Sequence, residues 1–212
     1  MSYFPFFIDI EGERALVVGG GKVAQRKVLA LLEFGAQVKV VADTLCEPLR
    51  MLAGQRPQQV ELCERRFADD DIEGVLFVVA ATDDTCVNHH ISVLCRERGI
   101  LVNVVDQKKD CSFFFPAYVK RGEVVAGVSS GGNSPLLAAT IRDHLEEQIP
   151  EYYGKLGSQL GGIRQRARVE IALTSDRRRC MEEALSMAQE RERLLEDWEI
   201  EGLLKKYQKE IL

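Results

Sequence analysis

The sequence predicts an α/β protein built on a parallel sheet, followed by a small antiparallel hairpin with a helix and then by a helical carboxyl-terminal segment. Three observations support this prediction. Short apolar runs alternate with amphipathic stretches over residues 14–105, a glycine-rich turn follows the first run, and nothing resembles a strand beyond residue 151. Alternating strands and helices are typical of right-handed βαβ units and therefore of a parallel sheet.

The first half of the chain contains the elements of the predicted sheet. Strands are predicted over residues 14–18, 37–42, 60–67, 75–81 and 100–105. The fourth run is apolar throughout, which is typical of a central parallel strand covered on both faces. Helices are predicted over residues 22–34 and 84–98. The first of them repeats apolar residues with helical spacing and ends before Gly35.

The pattern changes after Asp106. Residues 112–119 and 124–129 are strand-like and flank a tight Lys-Arg-Gly-Glu turn, which predicts an antiparallel hairpin. A helix is predicted to begin at Pro135, with Asn133 or Ser134 as its cap. The hairpin carries an apolar strip that predicts a homodimer interface. This strip comprises Phe113, Phe114, Phe115, Tyr118, Val124 and Val125.

The composition argues against several classes of protein. The net charge is −5 and the chain is 46% hydrophobic, which disfavours a dedicated nucleic-acid binder and a disordered chain. The longest apolar run is far shorter than the roughly 20 residues that cross a bilayer, and the amino terminus lacks the basic region of a secretory signal. Six cysteines without a Cys-x-x-Cys pair indicate reduced thiols. We therefore expect a cytoplasmic protein with no metal site and no membrane or nucleic-acid partner.

The most informative motif spans residues 19–24. It fits the pattern Gly-x-Gly-x-x-Ala, after a predicted strand and at the start of a predicted helix. In this pattern Gly19 allows the tight turn, Gly21 the close approach of a pyrophosphate, and Ala24 the close packing of helix on strand. The amino terminus of the helix then offers free N–H groups to the phosphates. The motif predicts a Rossmann-type dinucleotide-binding domain.

Two further positions belong to the same predicted site. Asp43 ends the second strand, about 20 residues after the glycine motif, where a carboxylate accepts hydrogen bonds from ribose hydroxyls and repels a 2′-phosphate. This favours NAD over NADP; a glycine turn with a solvated aspartate is the alternative. Thr82 follows the fourth strand and is a candidate cofactor contact, whereas Asp83 and Asp84 are more simply caps of the next helix.

Several segments together resemble the precorrin-2 dehydrogenase family, whose relatives form the amino-terminal half of bifunctional siroheme synthases. The resemblance covers approximately residues 4–150, and its combination of segments is much more specific than the glycine motif alone. The segments are FPFFIDIEGERALVVGGGKVAQRKVLALLEFGAQVKVVA (4–42), AATDD (80–84), NVVD (103–106), SFFFPA (112–117) and SSGGNSPLLA (129–138).

The resemblance implies the oxidation of precorrin-2 to sirohydrochlorin with NAD⁺, in a homodimer whose interface is the middle hairpin and helix. Some relatives also insert Fe²⁺ to give siroheme. By position, Lys22, Val23, Asp43 and Thr44 are implied to contact the cofactor, and Asp106 is implied to be the catalytic acid–base residue. Relatives often have a proline at the position of Asp43, so their ribose contact is not always a carboxylate.

The candidate catalytic and substrate residues each have a simpler alternative role. Asp106 follows the fifth strand at the carboxyl edge, where ligands bind in open α/β sheets, but the alternative is a turn residue. Ser129, Ser130, Asn133 and Ser134 precede a predicted helix and can hold substrate carboxylates at its amino end, or form only a loop and cap. The basic residues that can meet the substrate carboxylates are Lys108, Lys109, Arg142, Arg164, Arg166 and Arg168.

These inferences combine into one prediction. Residues 1–112 form an NAD-binding Rossmann domain, residues 113–150 a dimerisation segment and residues 151–212 a helical domain. The predicted function is the NAD-dependent oxidation of a tetrapyrrole, precorrin-2, in the cytoplasm. The alternatives are an enzyme that also inserts iron into sirohydrochlorin, and a non-catalytic nucleotide sensor.

Overall fold

The computed structural model describes residues 4–208. The chain divides into two compact units, Met1–Phe115 and Pro116–Leu212. Among the described residues, no helix is long and apolar enough to cross a membrane. The division into three domains at residues 112 and 150 remains a prediction.

The first unit contains the predicted parallel sheet. Its five strands are all parallel and lie in the order β3-β2-β1-β4-β5, which is the Rossmann order. The inner strands β1 and β4 are almost wholly buried, as their continuous apolar runs predict. The strands are β1 (Arg14–Val18), β2 (Gln37–Ala42), β3 (Val60–Glu64), β4 (Phe77–Ala80) and β5 (Leu101–Val104). The predicted fold class is confirmed.

Three α-helices connect these strands: α1 (Lys22–Glu33), α2 (Glu47–Gln55) and α3 (Thr85–Glu97). The sequence patterns predict α1 and α3 but not α2. Helix α2 has a proline in its first turn and fully buries only Leu49, while Leu52 and Ala53 pack partly buried against the same apolar cluster. Its nine residues are too few for this apolar spacing to repeat, so the sequence signal for a helix is weak.

The core of the first unit lies on both faces of the sheet. Alternate residues of β1 point to opposite faces, so that Val17 joins one apolar cluster and Leu16 the other. Phe113 and Phe115 pack against the first cluster, and Phe114 packs against the second. The prediction that these three residues belong to the hairpin strip is wrong, because the hairpin begins only at Ala117 and the three rings pack instead on the faces of the parallel sheet.

The second unit begins with the predicted antiparallel hairpin. Its strands are β6 (Ala117–Arg121) and β7 (Val124–Val128), and Val119 pairs with Ala126. Gly122 in the turn has φ +57°, a left-handed conformation that glycine adopts without strain. The predicted helix follows as α4 (Pro135–Gln148).

Three further helices complete the second unit: α5 (Tyr152–Glu170), α6 (Thr174–Glu190) and α7 (Asp197–Tyr207). They enclose a separate apolar core that includes Ile163, Ile171, Cys180 and Leu204. The helical carboxyl-terminal segment is confirmed. The carboxylate of Glu199 is buried in this unit, where it accepts two hydrogen bonds from the guanidinium of Arg193 at 2.9 and 3.0 Å.

Candidate active site

The glycine loop between β1 and α1 is shaped by close backbone contacts. Gly19 has φ +130°, and a Cβ atom at this position would collide with the carbonyl oxygen of Ala81. A Cβ atom at Gly20 would collide with the carbonyl oxygen of Thr44, whereas a Cβ atom at Gly21 would project into open space. Glycine is therefore required at positions 19 and 20 by close contacts within the protein. At Gly21 no protein atom among residues 4–208 requires it, and the open space there can accommodate a ligand.

Gly20 is a residue that the motif analysis did not single out. Its carbonyl oxygen accepts a hydrogen bond from the N–H of Cys46 at 2.8 Å, and the N–H of Gly19 donates to the carbonyl of Val41 at 2.9 Å. These bonds tie the loop to the carboxyl end of β2. The run of three consecutive glycines is the signal that could have indicated it, since the dinucleotide motif itself leaves the middle position open.

The amino terminus of α1 is open to an anion. Gly21 is its N-cap and offers no side-chain acceptor, and its first turn holds no acidic residue. The N–H groups of Lys22, Val23 and Ala24 therefore lack partners within the helix. Ala24 is fully buried against the strands, so the helix packs close to the sheet. This cradle fits the pyrophosphate of a dinucleotide, and the helix dipole adds to its attraction for phosphate.

Asp43 and Thr44 directly follow β2 and are exposed beside the glycine loop. One carboxylate oxygen of Asp43, Oδ2, lies 3.4 Å from Nε of Arg66. Arg66 follows β3, the neighbouring strand, and no motif in the sequence indicated its presence here. The structure thus adds a guanidinium to the corner where the sequence predicts a ribose contact.

Thr82 lies at the end of β4, where its polar groups are engaged by a buried asparagine. The hydroxyl of Thr82 donates to Oδ1 of Asn88 at 2.7 Å, and Nδ2 of Asn88 donates to the carbonyl of Thr82 at 2.9 Å. Asp84 caps α3 by accepting hydrogen bonds from the N–H groups of Cys86 and Val87, so its predicted capping role is confirmed. Asn88 therefore fixes the position of Thr82. The contact between Thr82 and the cofactor remains a prediction.

Asp106 lies two residues beyond β5, exposed, at the same carboxyl edge of the sheet. Its φ of +59° is left-handed, a conformation that is uncommon outside glycine but is several times more frequent for aspartate and asparagine. The N–H of Val104 donates to Sγ of Cys111 at 3.2 Å, and this thiol contacts the carbonyls of Val104 and Gln107 at 3.2 and 3.5 Å. Cys111 therefore closes the loop that carries Asp106, and burial raises the pKa of its thiol.

Lys27 is a partly buried cation in the first unit that the sequence did not indicate. Its ammonium lies 3.9 Å from the centroid of the Phe115 ring. Burial, with a smaller contribution from the positive charge of Arg26, lowers the pKa of Lys27 to about 8. The lysine is on α1, one turn beyond the glycine loop.

The predicted substrate residues lie in the second unit, in the loop before α4. Ser134 is the N-cap of this helix, since its hydroxyl accepts a hydrogen bond from the N–H of Leu137 at 3.2 Å. The hydroxyl of Ser130 accepts from the N–H of Ser134 at 3.0 Å, and that of Ser129 accepts from the N–H of Gly131 at 3.1 Å. The loop and cap roles are present, and substrate binding by Ser129, Ser130, Asn133 and Ser134 remains a prediction.

Two of the basic candidates are committed to carboxylates of the second unit. Arg166 donates to Glu170 at 2.9 Å and to Glu201 at 2.6 Å, and Arg142 donates to Asp143 at 2.6 Å. Such pairs on exposed helices are typical solvated charges. Their geometry favours the simpler role that the sequence left open for them.

Comparison with known proteins now adds to this geometry. A family described as "Putative NAD(P)-binding" matches residues 6–117, and one described as "Sirohaem biosynthesis protein central" matches residues 127–148. The siroheme synthase of Thioalkalivibrio sulfidiphilus is 42% identical over 185 residues, which are 87% of this chain and 37% of that one. The siroheme synthase of Pseudomonas aeruginosa is 42% identical over 195 residues, 92% of this chain and 41% of that one.

A solved structure of SirC, a precorrin-2 dehydrogenase, matches with a TM-score of 0.75 and 27% identity, and the match covers 97% of this chain and 100% of that one. The chain belongs to the siroheme synthase and precorrin-2 dehydrogenase family. The resemblance inferred from the sequence is confirmed, and the first unit is a domain for NAD or NADP. Members such as the two siroheme synthases are longer proteins, of which this chain spans 37% and 41%.

Proposed function

We propose that this chain catalyses the oxidation of precorrin-2 to sirohydrochlorin, with NAD⁺ reduced to NADH and a proton released. The proposal is carried by the match to SirC, which spans nearly the whole of this chain and includes both of its units. The open cradle at Gly21 supports a dinucleotide. The carboxylate of Asp43 favours NAD⁺ in particular, because a carboxylate at the ribose disfavours a 2′-phosphate.

The cofactor is held by groups of the first unit. The N–H groups of Lys22, Val23 and Ala24 bind the pyrophosphate, and Asp43 accepts hydrogen bonds from the adenine ribose, with Thr44 beside it. Thr82 borders the same edge of the sheet. When bound, NAD⁺ supplies the hydride acceptor.

Asp106 is the proposed proton acceptor. Oxidation of the macrocycle removes a hydride and a proton, and the proton needs a base within about 3 Å or one water away. Asp106 offers an exposed carboxylate at the carboxyl edge, on a loop that Cys111 holds closed. A fixed loop keeps the base in one position relative to the sheet, which is the arrangement that general-base catalysis requires.

The second unit is proposed to bind substrate carboxylates and to form the homodimer. The substrate site is proposed at the loop of Ser129, Ser130, Asn133 and Ser134. The hydroxyls of its three serines accept hydrogen bonds from loop and helix N–H groups, and their own hydrogens can donate to the several carboxylates of precorrin-2. The dimer is supported by Leu136, Leu137 and Ile141 on α4, which are 78%, 54% and 40% exposed. Light scattering at micromolar concentration is expected to give twice the monomer mass. We also place the enzyme in the cytoplasm.

One experiment tests the activity. The purified chain is mixed with precorrin-2 and NAD⁺ without air, and NADH is followed by its absorbance. The proposal expects stoichiometric NADH and sirohydrochlorin, with Asp106→Asn as the inactive control. Binding of NAD⁺ without any turnover would instead identify a nucleotide sensor, and Fe²⁺ added to the product reveals whether the chain also inserts iron.

A further inference from the structure

Arg66 and Asp43 form an ion pair at the ribose corner of the proposed cofactor site. Nε of Arg66 lies 3.4 Å from Oδ2 of Asp43, and the two side chains are 90% and 61% exposed. Each residue follows the carboxyl end of its strand, and the strands β2 and β3 are neighbours with Ala42 opposite Glu64. Both charges therefore stand at the edge of the sheet where a dinucleotide lies in this fold.

The backbone of Arg66 is anchored by the side chain of Arg65. The guanidinium of Arg65 donates to the carbonyl of Arg66 at 2.9 Å. The same guanidinium donates two hydrogen bonds to the buried carboxylate of Asp71, at 2.7 and 2.6 Å. Lys39 of β2 adds a third cationic contact to Asp71 at 2.8 Å. Hydrogen bonds from Arg65 hold the pKa of Asp71 well below its usual range. Arg66 therefore extends an exposed guanidinium from a backbone that Arg65 anchors.

The two charges favour different nucleotides. A carboxylate accepts hydrogen bonds from the two ribose hydroxyls of NAD but repels the 2′-phosphate of NADP. A guanidinium binds a phosphate through two parallel N–H···O bonds, and it is the side chain best suited to that task. In this corner the carboxylate of Asp43 also partly neutralises Arg66, which weakens its attraction for a phosphate.

We propose that Arg66 is a specificity-determining residue, a latent site for the 2′-phosphate that Asp43 holds in an ion pair. Asp43 gives the protein its preference for NAD⁺ over NADP⁺. Removal of this one carboxylate shifts the relative affinity toward NADP⁺, because the guanidinium of Arg66 already lies beside the position of the 2′-phosphate. This inference rests on the proposed function, since it requires a nicotinamide dinucleotide at this edge of the sheet.

Four proteins test the proposal: the full chain, Asp43→Asn, Arg66→Gln and the double variant. Each is titrated with NAD⁺ and with NADP⁺ by calorimetry, without precorrin-2. We expect Asp43→Asn to raise the affinity for NADP⁺ relative to NAD⁺ by about tenfold or more, the size of one charge-assisted hydrogen bond. Arg66→Gln should remove that gain, and it should weaken NADP⁺ binding more in the Asp43→Asn background than in the unchanged chain.

The matched control is Arg98→Gln, which removes another exposed arginine of the first unit. Like Arg66, Arg98 lies near a carboxylate, with Nη1 of Arg98 3.8 Å from Oε1 of Glu73. Its NAD⁺ to NADP⁺ ratio should equal that of the unchanged chain. Salt gives a second readout, because NADP⁺ binding to Asp43→Asn should weaken with ionic strength more steeply than NADP⁺ binding to the double variant.

The titrations distinguish a failure of the role proposed for Arg66 from a failure of the proposed function. If Asp43→Asn gains NADP⁺ affinity equally with and without Arg66, or gains none, the role of Arg66 is overturned while the proposed function stands on intact NAD⁺ binding. If the unchanged chain binds neither nucleotide, the proposed function itself fails, and the inference fails with it.

Discussion

The thiol of Cys111 bonds both backbone groups of Val104, at 3.2 Å from the N–H and 3.2 Å from the carbonyl oxygen. This pair of contacts closes the chain on itself immediately after β5. Asp106 lies inside the closed loop with its left-handed φ of +59°. A non-glycine residue in this conformation depends on support from its surroundings, and the contact between Cys111 and Val104 supports the backbone of the loop that carries the proposed catalytic residue.

The first prediction concerns Asp106→Asn. We expect turnover to fall by about 10²–10⁴, the usual contribution of a positioned general base, while NAD⁺ affinity is retained. Asparagine tolerates the left-handed backbone, so the loop should keep its shape. The measurements are single-turnover NADH formation and NAD⁺ titration, with Asp83→Asn as a control that removes another exposed strand-end carboxylate. Turnover within about threefold of the unchanged chain would exclude Asp106 as the base.

The second prediction concerns Cys111 as a positioning residue. Cys111→Ala leaves the buried N–H of Val104 without its sulfur acceptor, which typically costs about 1–3 kcal/mol, and it frees the loop that carries Asp106. We expect kcat to fall while the KM for NAD⁺ changes little, and Cys111→Ser to restore part of kcat because it keeps an acceptor.

The control for this prediction is Cys95→Ala, which removes a fully buried thiol of α3. It should lower the free energy of unfolding without the selective loss of kcat. An equal loss of kcat in the Cys95 and Cys111 variants would mean that Cys111 contributes only to packing.

The third prediction separates two adjacent glycines. Gly20→Ala places a methyl group against the carbonyl of Thr44, and such overpacking typically lowers the free energy of unfolding by about 1–3 kcal/mol. Gly21→Ala meets no atom within 4 Å, so its stability should match that of the unchanged chain. Its NAD⁺ affinity should nevertheless fall by about tenfold or more, because the methyl group enters the space of the pyrophosphate. Urea unfolding and calorimetric titration measure the two effects; unaltered NAD⁺ binding by Gly21→Ala would refute the cradle.

The fourth prediction follows from the lowered pKa of Lys27, about 8 in the folded protein against 10.5. Between these two values the unfolded chain binds more protons than the folded one at this site, so the stability contributed by Lys27 rises with pH over that range. Below pH 8 the folded protein carries the full cost of a partly buried ammonium. Lys27→Met should therefore be more stable than the unchanged chain at pH 7, by about 1–2 kcal/mol after the lost contact with the Phe115 ring is subtracted.

Urea unfolding at pH 7 and at pH 9.5 tests this prediction. The advantage of Lys27→Met should shrink at the higher pH, while the exposed-lysine control Lys155→Met should show the same difference from the unchanged chain at both. An advantage that is independent of pH would mean that the methionine stabilises through packing and not through removal of a charge.

Much of the fold follows from local patterns in the sequence. Five apolar runs, each closed by a turn, predict the parallel sheet, and the glycine motif after the first run predicts the nucleotide cradle. These features are visible because hydrophobic periodicity and glycine conformation act over a few neighbouring residues. Helix α2 escapes prediction because its nine residues are shorter than the window of about 11–18 residues over which helical periodicity is recognised.

The contacts between distant residues were decided by the tertiary structure alone. Asp43 is evident in the sequence at the end of a predicted strand, but Arg66 reaches it only because β3 pairs in parallel with β2. Likewise, nothing in the sequence indicates that the thiol of Cys111 contacts the backbone of Val104, because this contact depends on the chain reversal after β5. The sequence therefore determined which chemical groups the carboxyl edge offers, whereas strand pairing and chain reversal, which no short-range pattern encodes, decided which of those groups meet.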